Sequence, residues 1–302
     1  MVQIERSSSP IKLDFPYGTI LAGGTNVEFR LTTAIRQGGN GVVFRAERVN
    51  EDGQSAGPCA VKLLKQLDEV RQDRFDNEVR IIQALNHPNI AKCYGHGRTR
   101  LGHQNIEIPW VAMDLGGPNL GDYQDEFGFH LDTPTALNIG IQIGHALQHL
   151  HDMGIIHRDL KPGNFVWSDE DDREEVLMID FGIAKYIGED VSGRKMDTFT
   201  QANEFVGPAN FSSPELIAYG RNKKHPVDYQ SDLFQLGLVL WFFATNQIIA
   251  GIPSKTKDPT GGALWELVTS LLAMEPADRP NSAGDIVNRL EQIRSKVVAS
   301  GS

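Results

Sequence analysis

Residues 157–164 read HRDLKPGN, and residues 180–182 read DFG. Between them runs a strand-like segment interrupted by the acidic tract DEDDREE at 169–175. Together the two motifs bring two carboxylates, Asp159 and Asp180, the ammonium of Lys161 and the amide of Asn164 within reach of one site. That inventory suits phosphoryl transfer, which needs metal-held phosphates, a base near the incoming hydroxyl and positive charge on the group in transit. DFG alone is a chance tripeptide. HRDLKPGN, a strand and then DFG form a specific signal.

Working outward, the chain changes period. Residues 27–65 read as strands: VEFRLTTAI and VVFRAERV flank the stretch RQGGNGVVF (36–44), and CAVKLLK follows the turn-rich NEDGQSAGP. Taken alone, the glycines and asparagine of 36–44 fit a tight hairpin turn better than a phosphate-cradling loop, because Arg36 fills the first glycine place of G-x-G-x-x-G. From about 70 the period becomes helical, with Phe75, Val79, Ile82 and Leu85 on one face and a stop before His87-Pro88. Two more strand-like runs, NIAKCYGHG and IEIPWVAMDL, end in GGPN at 116–119, the best boundary between a small β-rich part and a larger one. Beyond it Thr133-Pro134 reads as an N-cap with a first-turn proline, opening a helix through LNIGIQIGHALQHLHDM. Short strands return at 164–183, where the acidic tract fits a solvated hairpin tip, and 228–298 is helical again. The final VVASGS reads as a frayed tail.

Composition narrows the function classes. The chain has 302 residues, 40% of them hydrophobic and 23% charged, which is ordinary for a soluble globular protein. A formal charge of −10 argues against a general nucleic-acid binder or a binder of anionic membranes. The 2 cysteines, Cys59 and Cys93, offer no zinc spacing and no disulfide framework, so a reducing, cytoplasmic setting is expected. The start, MVQIERSSSP, lacks the apolar core of a secretory signal. The longest apolar run, LGLVLWFF at 236–243, is too short to span a bilayer and reads as a buried helix.

HRDLKPGN and DFG, with the lysine of CAVKLLK and a glutamate on the following helix, resemble the eukaryotic-type (Hanks-type) serine/threonine protein kinases, and a compact domain of this kind suits a bacterial member. The resemblance covers roughly residues 29–292. It implies an α+β, bilobal kinase fold: an N-terminal extension at 1–26, a small β-rich N-lobe with one regulatory helix at 27–115, a mainly helical C-lobe at 116–295 and a tail at 296–302. It further implies that Asp159 is the catalytic base, that Lys161 touches the γ-phosphate, and that Asn164 and Asp180 hold Mg2+, with Mn2+ as the alternative. Lys62 is then the lysine on the α- and β-phosphates of ATP and Glu78 its ion-pair partner.

Gly38, Gly39 and Gly41 become the phosphate lid. Val43 and Ala60 form the roof over adenine, Val166 and Ile179 the floor, and Met113 the gatekeeper, with Asp114-Leu115-Gly116 as the hinge. DLKPGN points to serine or threonine as acceptor in protein substrates, with autophosphorylation. SPE at 213–215 implies a Glu215–Arg279 pair, Asp232 a brace for the catalytic loop, and His157 and Phe181 a stack. No nucleic acid and no membrane insertion are implied, and a dimer is left open.

The chain departs from the family pattern in three places. Arg36 stands where the first loop glycine is usual. In GPANFSSPE (207–215), Pro208 replaces a threonine whose hydroxyl bonds to the catalytic aspartate and lysine, and Phe211 replaces a tyrosine. Arg158 precedes the base, which in this family implies a phosphate on the activation segment; Thr198 and Thr200 are the candidate acceptors, and Glu204 a candidate built-in negative charge. Arg36 and Pro208 lean towards a pseudokinase, an ATP-binding scaffold that signals by binding. A small-molecule kinase of the aminoglycoside or choline type is opposed by SPE, Asp232 and Arg279.

Overall fold

The computed structural model describes residues 2–4, 11–13, 17–22, 26–37, 41–101, 106–122, 130–168, 175–187, 209–222 and 225–300. The chain divides into two compact units, Met1–Asn86 with Ala91–Gly116, and His87–Ile90 with Gly117–Ser302.

In the first unit β1 (Val2–Ile4) and β2 (Ile11–Leu13) form an antiparallel pair. A six-stranded sheet follows, built from β3 (Ile20–Ala22), β4 (Val27–Gln37), β5 (Gly41–Asn50), β6 (Ser55–Leu64), β7 (Cys93–Leu101) and β8 (Ile106–Met113) in the order β3-β4-β5-β6-β8-β7. The sheet thus begins before residue 27, because β3 pairs antiparallel with β4 inside the stretch read as an extension. Three residues are too few to display an alternation, which is why the strand was not legible.

Alternation along the longer strands sorts the side chains. Val42, Phe44, Val61, Leu63, Ile108, Trp110 and Ala112 go to the buried core, where Phe29 and Trp110 meet with ring centroids 5.3 Å apart. Helix α1 (Glu69–Ala84) starts at Asp68, whose carboxylate accepts from the Arg71 backbone at 3.1 Å, and buries Phe75, Val79 and Ile82 as its period requires.

The second unit is mainly helical. Helix α2 (Thr133–Asp152) is capped by Asp132, not by Thr133: the aspartate accepts from the Thr135 backbone at 2.8 Å and Thr133 takes the first helical position. A carboxylate at that place also complements the helix dipole. Strands β9 (Ile155–Ile156) and β12 (Lys185–Tyr186) pair with each other, as do β10 (Phe165–Trp167) and β11 (Val176–Met178).

Helices α3 (Pro214–Arg221), α4 (Tyr229–Thr245), α5 (Ala263–Leu271) and α6 (Ala283–Ser300) complete it. Helix α6 continues through Val297–Ser300, where the sequence read as a frayed tail. Helix α4 is buried over most of its circumference, and α2 meets α4 and α6 at glycines. A Cβ on Gly140 would stand 2.3 Å from Leu240, and one on Gly144 would stand 2.6 Å from Val287. The acidic tip at 169–174 and the phosphate-lid residues Gly38 and Gly39 lie outside the described residues.

Candidate active site

The register of the sheet places Val43, Ala60, Lys62 and Met113 on one face. Val43 is opposite Lys62, Lys62 opposite Val111, and Ala60 opposite Met113. Their neighbours Phe44, Val61 and Ala112 go to the core on the other face. Glu78 is buried on α1, and the Lys62 ammonium reaches both of its carboxylate oxygens, at 2.7 and 2.8 Å. A buried carboxylate is costly without such a partner.

Gly41 has a packing reason as well, since a Cβ there would stand 2.9 Å from the Leu63 carbonyl oxygen of β6. Arg36 is an exposed residue of β4, opposite Val43. At the end of β8, Asp114 is clamped. Its carboxylate accepts from the Tyr94 hydroxyl at 2.5 Å and from the Lys92 backbone at 2.8 Å, while its own N–H donates to the Lys92 carbonyl. Arg48 stacks 3.8 Å over the Tyr94 ring. Burial, and then the Asp114 contact, push the Tyr94 phenol up to about 12, so it stays protonated and donating. Leu115 and Gly116 follow at the end of the unit.

In the second unit, Asp159 lies between β9 and β10. The Lys161 ammonium stands 2.6 Å from its carboxylate, and the Asn164 amide donates to that carboxylate at 3.1 Å and to the Asp159 carbonyl at 2.8 Å. Burial pushes the Asp159 carboxyl above its ordinary range, and Lys161 pulls it back down. The loop is held from beneath by buried Asp232 on α4, which accepts from the backbones of His157 and Arg158 at 2.8 Å each and lies 3.0 Å from His151 Nε2.

His157 and Phe181 meet with ring centroids 5.2 Å apart, and burial lowers the His157 pKa, keeping the ring neutral. Ile179 is tied to the loop through its N–H and the Asn164 carbonyl, 2.9 Å apart, and Val166 is buried in β10. Arg158 and Asp180 have φ of 65° and 67°, a left-handed backbone that side-chain-bearing residues seldom adopt and that concentrates at functional sites. With the Asn164 nitrogen held by Asp159, its Oδ1 and the Asp180 carboxylate are hard oxygen donors, which fit a hard divalent cation.

Further along, Glu215 and Arg279 form a buried bidentate pair at 2.6 and 3.0 Å. A protein kinase domain family model matches residues 29–289. The chain belongs to the protein kinase family. Among its relatives are a probable serine/threonine-protein kinase of Clostridium perfringens, 28% identical over 88% of this chain and 38% of the relative, and one of Streptomyces coelicolor, 32% identical over 72% and 30%. The serine/threonine-protein kinase PknA of Mycobacterium tuberculosis is 29% identical over 92% of this chain and 63% of its own length. The chain therefore spans less than two thirds of the length of each of these three relatives.

Several residues of this kinase domain do work that its motifs did not announce. Gln235 on α4 is buried, accepts from the Leu160 backbone at 3.3 Å and donates to the Phe211 carbonyl at 2.8 Å, tying the catalytic loop to the SPE segment. A glutamine inside an otherwise apolar helical run was the available signal. Asn119 donates to the Gly163 carbonyl at 2.6 Å, and Gly117 donates to the Trp167 carbonyl at 2.8 Å, so GGPN is tied by hydrogen bonds into the second unit from Gly117 onwards. Phe211, read as replacing a tyrosine, is buried and packs edge-on to Phe242, with ring centroids 6.1 Å apart. Pro208, Glu204, Thr198 and Thr200 lie outside the described residues.

Proposed function

We propose that this chain is a serine/threonine protein kinase that transfers the γ-phosphoryl group of Mg-ATP to serine and threonine hydroxyls of proteins, its own included. The observation that carries the reading is the Asp159–Lys161–Asn164 cluster, closed at 2.6 and 3.1 Å on one carboxylate. Asp159 accepts the proton of the substrate hydroxyl as its oxygen bonds to the γ-phosphorus, and the bond to the β–γ bridging oxygen breaks, releasing ADP. Lys161 supplies positive charge beside the base. Lys62, held by Glu78, contacts the α- and β-phosphates. Asn164 and Asp180 would hold Mg2+, or Mn2+ in its place, which would neutralise charge on the phosphates. In this reading Met113 is the gatekeeper, the Asp114–Gly116 backbone reads the adenine edge, Val43, Ala60, Val166 and Ile179 are adenine contacts, and Gly38, Gly39 and Gly41 serve the phosphates.

A reducing compartment supplied with ATP, such as the cytoplasm, fits this chemistry and the unpaired thiols of Cys59 and Cys93. No helix among the described residues is long and apolar enough to cross a membrane. The test is incubation with labelled ATP and magnesium, alone and with a generic basic protein, beside an Asp159→Asn control. Label on serine or threonine in the wild type only is the expected result. ATP binding without label on either protein would overturn it in favour of a scaffold, and label only on an added aminoglycoside or small alcohol would assign a different acceptor.

A further inference from the structure

Helix α4 buries four polar residues in its first two turns, Gln230, Ser231, Asp232 and Gln235, and beyond them only Gly237 and hydrophobic residues. Asp232 serves the catalytic loop through the backbones of His157 and Arg158, and Ser231 is hydrogen-bonded to Ser213 of the SPE segment at 2.6 Å. Gln235 stands one turn further along the same face and touches both pieces of chain. Its Oε1 accepts from the Leu160 N–H at 3.3 Å, and its Nε2 donates to the Phe211 carbonyl at 2.8 Å. The partners fix which way the carboxamide faces, since an N–H can only donate and a carbonyl only accept.

The Leu160 N–H belongs to the same planar peptide group as the Asp159 carbonyl, and that carbonyl accepts from the Asn164 amide at 2.8 Å. The peptide group that follows the base is therefore held at both edges, by Asn164 on one and by Gln235 on the other. At the far end, Phe211 closes a single 3-10 turn, Ala209–Phe211. Its ring is buried edge-on to Phe242 of α4, with centroids 6.1 Å apart. One carboxamide spans the gap between the backbone of the base and the turn that leads into α3. A hydrogen-bonded buried amide adds little net stability over an apolar side chain of the same shape, so what Gln235 contributes is a fixed spacing.

We propose that Gln235 is a positioning residue for the phosphoryl acceptor: by holding the Ala209–Phe211 turn at a set distance from Asp159, it fixes the place where a serine or threonine hydroxyl of a protein meets the base. This rests on the kinase reading above. A displaced turn weakens the seating of the acceptor, so the loss appears in KM for the acceptor protein. The residues that hold the nucleotide in that reading are not hydrogen-bond partners of Gln235, so KM for ATP is spared.

The test uses the full chain with Mg-ATP and a generic basic acceptor protein, and compares two variants with wild type. Gln235→Met keeps the length of the side chain and removes both hydrogen bonds, whereas Gln235→Asn keeps the amide but is one methylene too short to reach both partners. Each should raise KM for the acceptor about tenfold, with KM for ATP within about twofold. Thermal unfolding identifies a variant that does not fold, and the other then carries the comparison. An acceptor KM within about twofold of wild type overturns the inference and leaves the kinase reading standing. So does a fall in kcat alone at unchanged KM, the mark of a smaller folded fraction, or unfolding of both variants, either of which makes the residue a structural one. A wild type that binds ATP and transfers nothing overturns both readings.

Discussion

Asp159 carries two opposed influences on its proton. Burial raises its pKa, and the Lys161 ammonium 2.6 Å away lowers it. A protonated Asp159 cannot accept the substrate hydroxyl proton, so kcat should fall as pH falls through that value, and the acid limb should lie above the ordinary aspartate range. Lys161→Met removes the lowering influence, so the acid limb of the kcat–pH profile should move to higher pH, on top of a general loss of rate. An acid limb at unchanged pH in a variant with measurable turnover would show that Lys161 does not set the proton affinity of the base.

At Lys62 the same logic applies to stability. Lys62→Met leaves the buried Glu78 carboxylate without its ammonium, and should cost about 2 kcal/mol, discounted for the partial exposure of the lysine, in denaturant unfolding. Glu78→Gln, which needs no charge partner, should cost less. Asp159, Lys161, Lys62 and Glu78 were singled out in the sequence through the resemblance to the family, and their roles in phosphoryl transfer are part of the proposal.

At the scale of elements, the second unit hangs its catalytic loop and the SPE segment on α4. Arg279 joins that framework at five acceptors: both Glu215 oxygens, and the carbonyls of Gln230, Ala273 and Met274. Only a planar fork with five donors serves all of them, and a lysine ammonium has three donors at one point. Arg279→Lys should therefore destabilise the protein by about 3 kcal/mol, read as a lowered denaturant midpoint at unchanged slope. A loss under about 1 kcal/mol would mean that the lysine finds most of those acceptors.

Helices were legible where caps and period agreed. For α1 the period of Phe75, Val79 and Ile82 and the stop before His87-Pro88 were legible, whereas its Asp68 cap came from the structure. Thr133-Pro134 misled by one residue because threonine before proline and aspartate before threonine are both good caps. The backbone settles on the stronger acceptor, the carboxylate. Strand β3 and the ties made by Gln235 and Asn119 depend on partners remote in sequence, and no local pattern encodes them.

For the molecule as a whole, the division into a β-rich and a helical unit was legible in the change of period from two to 3.6 beyond GGPN, where the division between the units falls. Net charge is the other whole-chain property, and it has a kinetic consequence. Thirty-nine acidic residues against 29 basic ones give a formal charge of −10. Such a surplus sets up a field that draws a basic acceptor protein towards the enzyme and repels an acidic one. The attraction acts over distances comparable with the screening length, about 10 Å at 0.1 M salt, so it weakens as salt is added. KM for a basic protein acceptor should therefore rise several-fold, on the order of threefold to tenfold, between about 50 mM and 300 mM salt. Turnover at saturation should hold steady, because the long-range field acts on the encounter of the two proteins and not on the bound complex. An uncharged serine peptide serves as the control, and its KM should stay flat over the same range. A KM for the basic acceptor that is equally flat would show that recognition runs through local contacts and not through the field of the acidic chain.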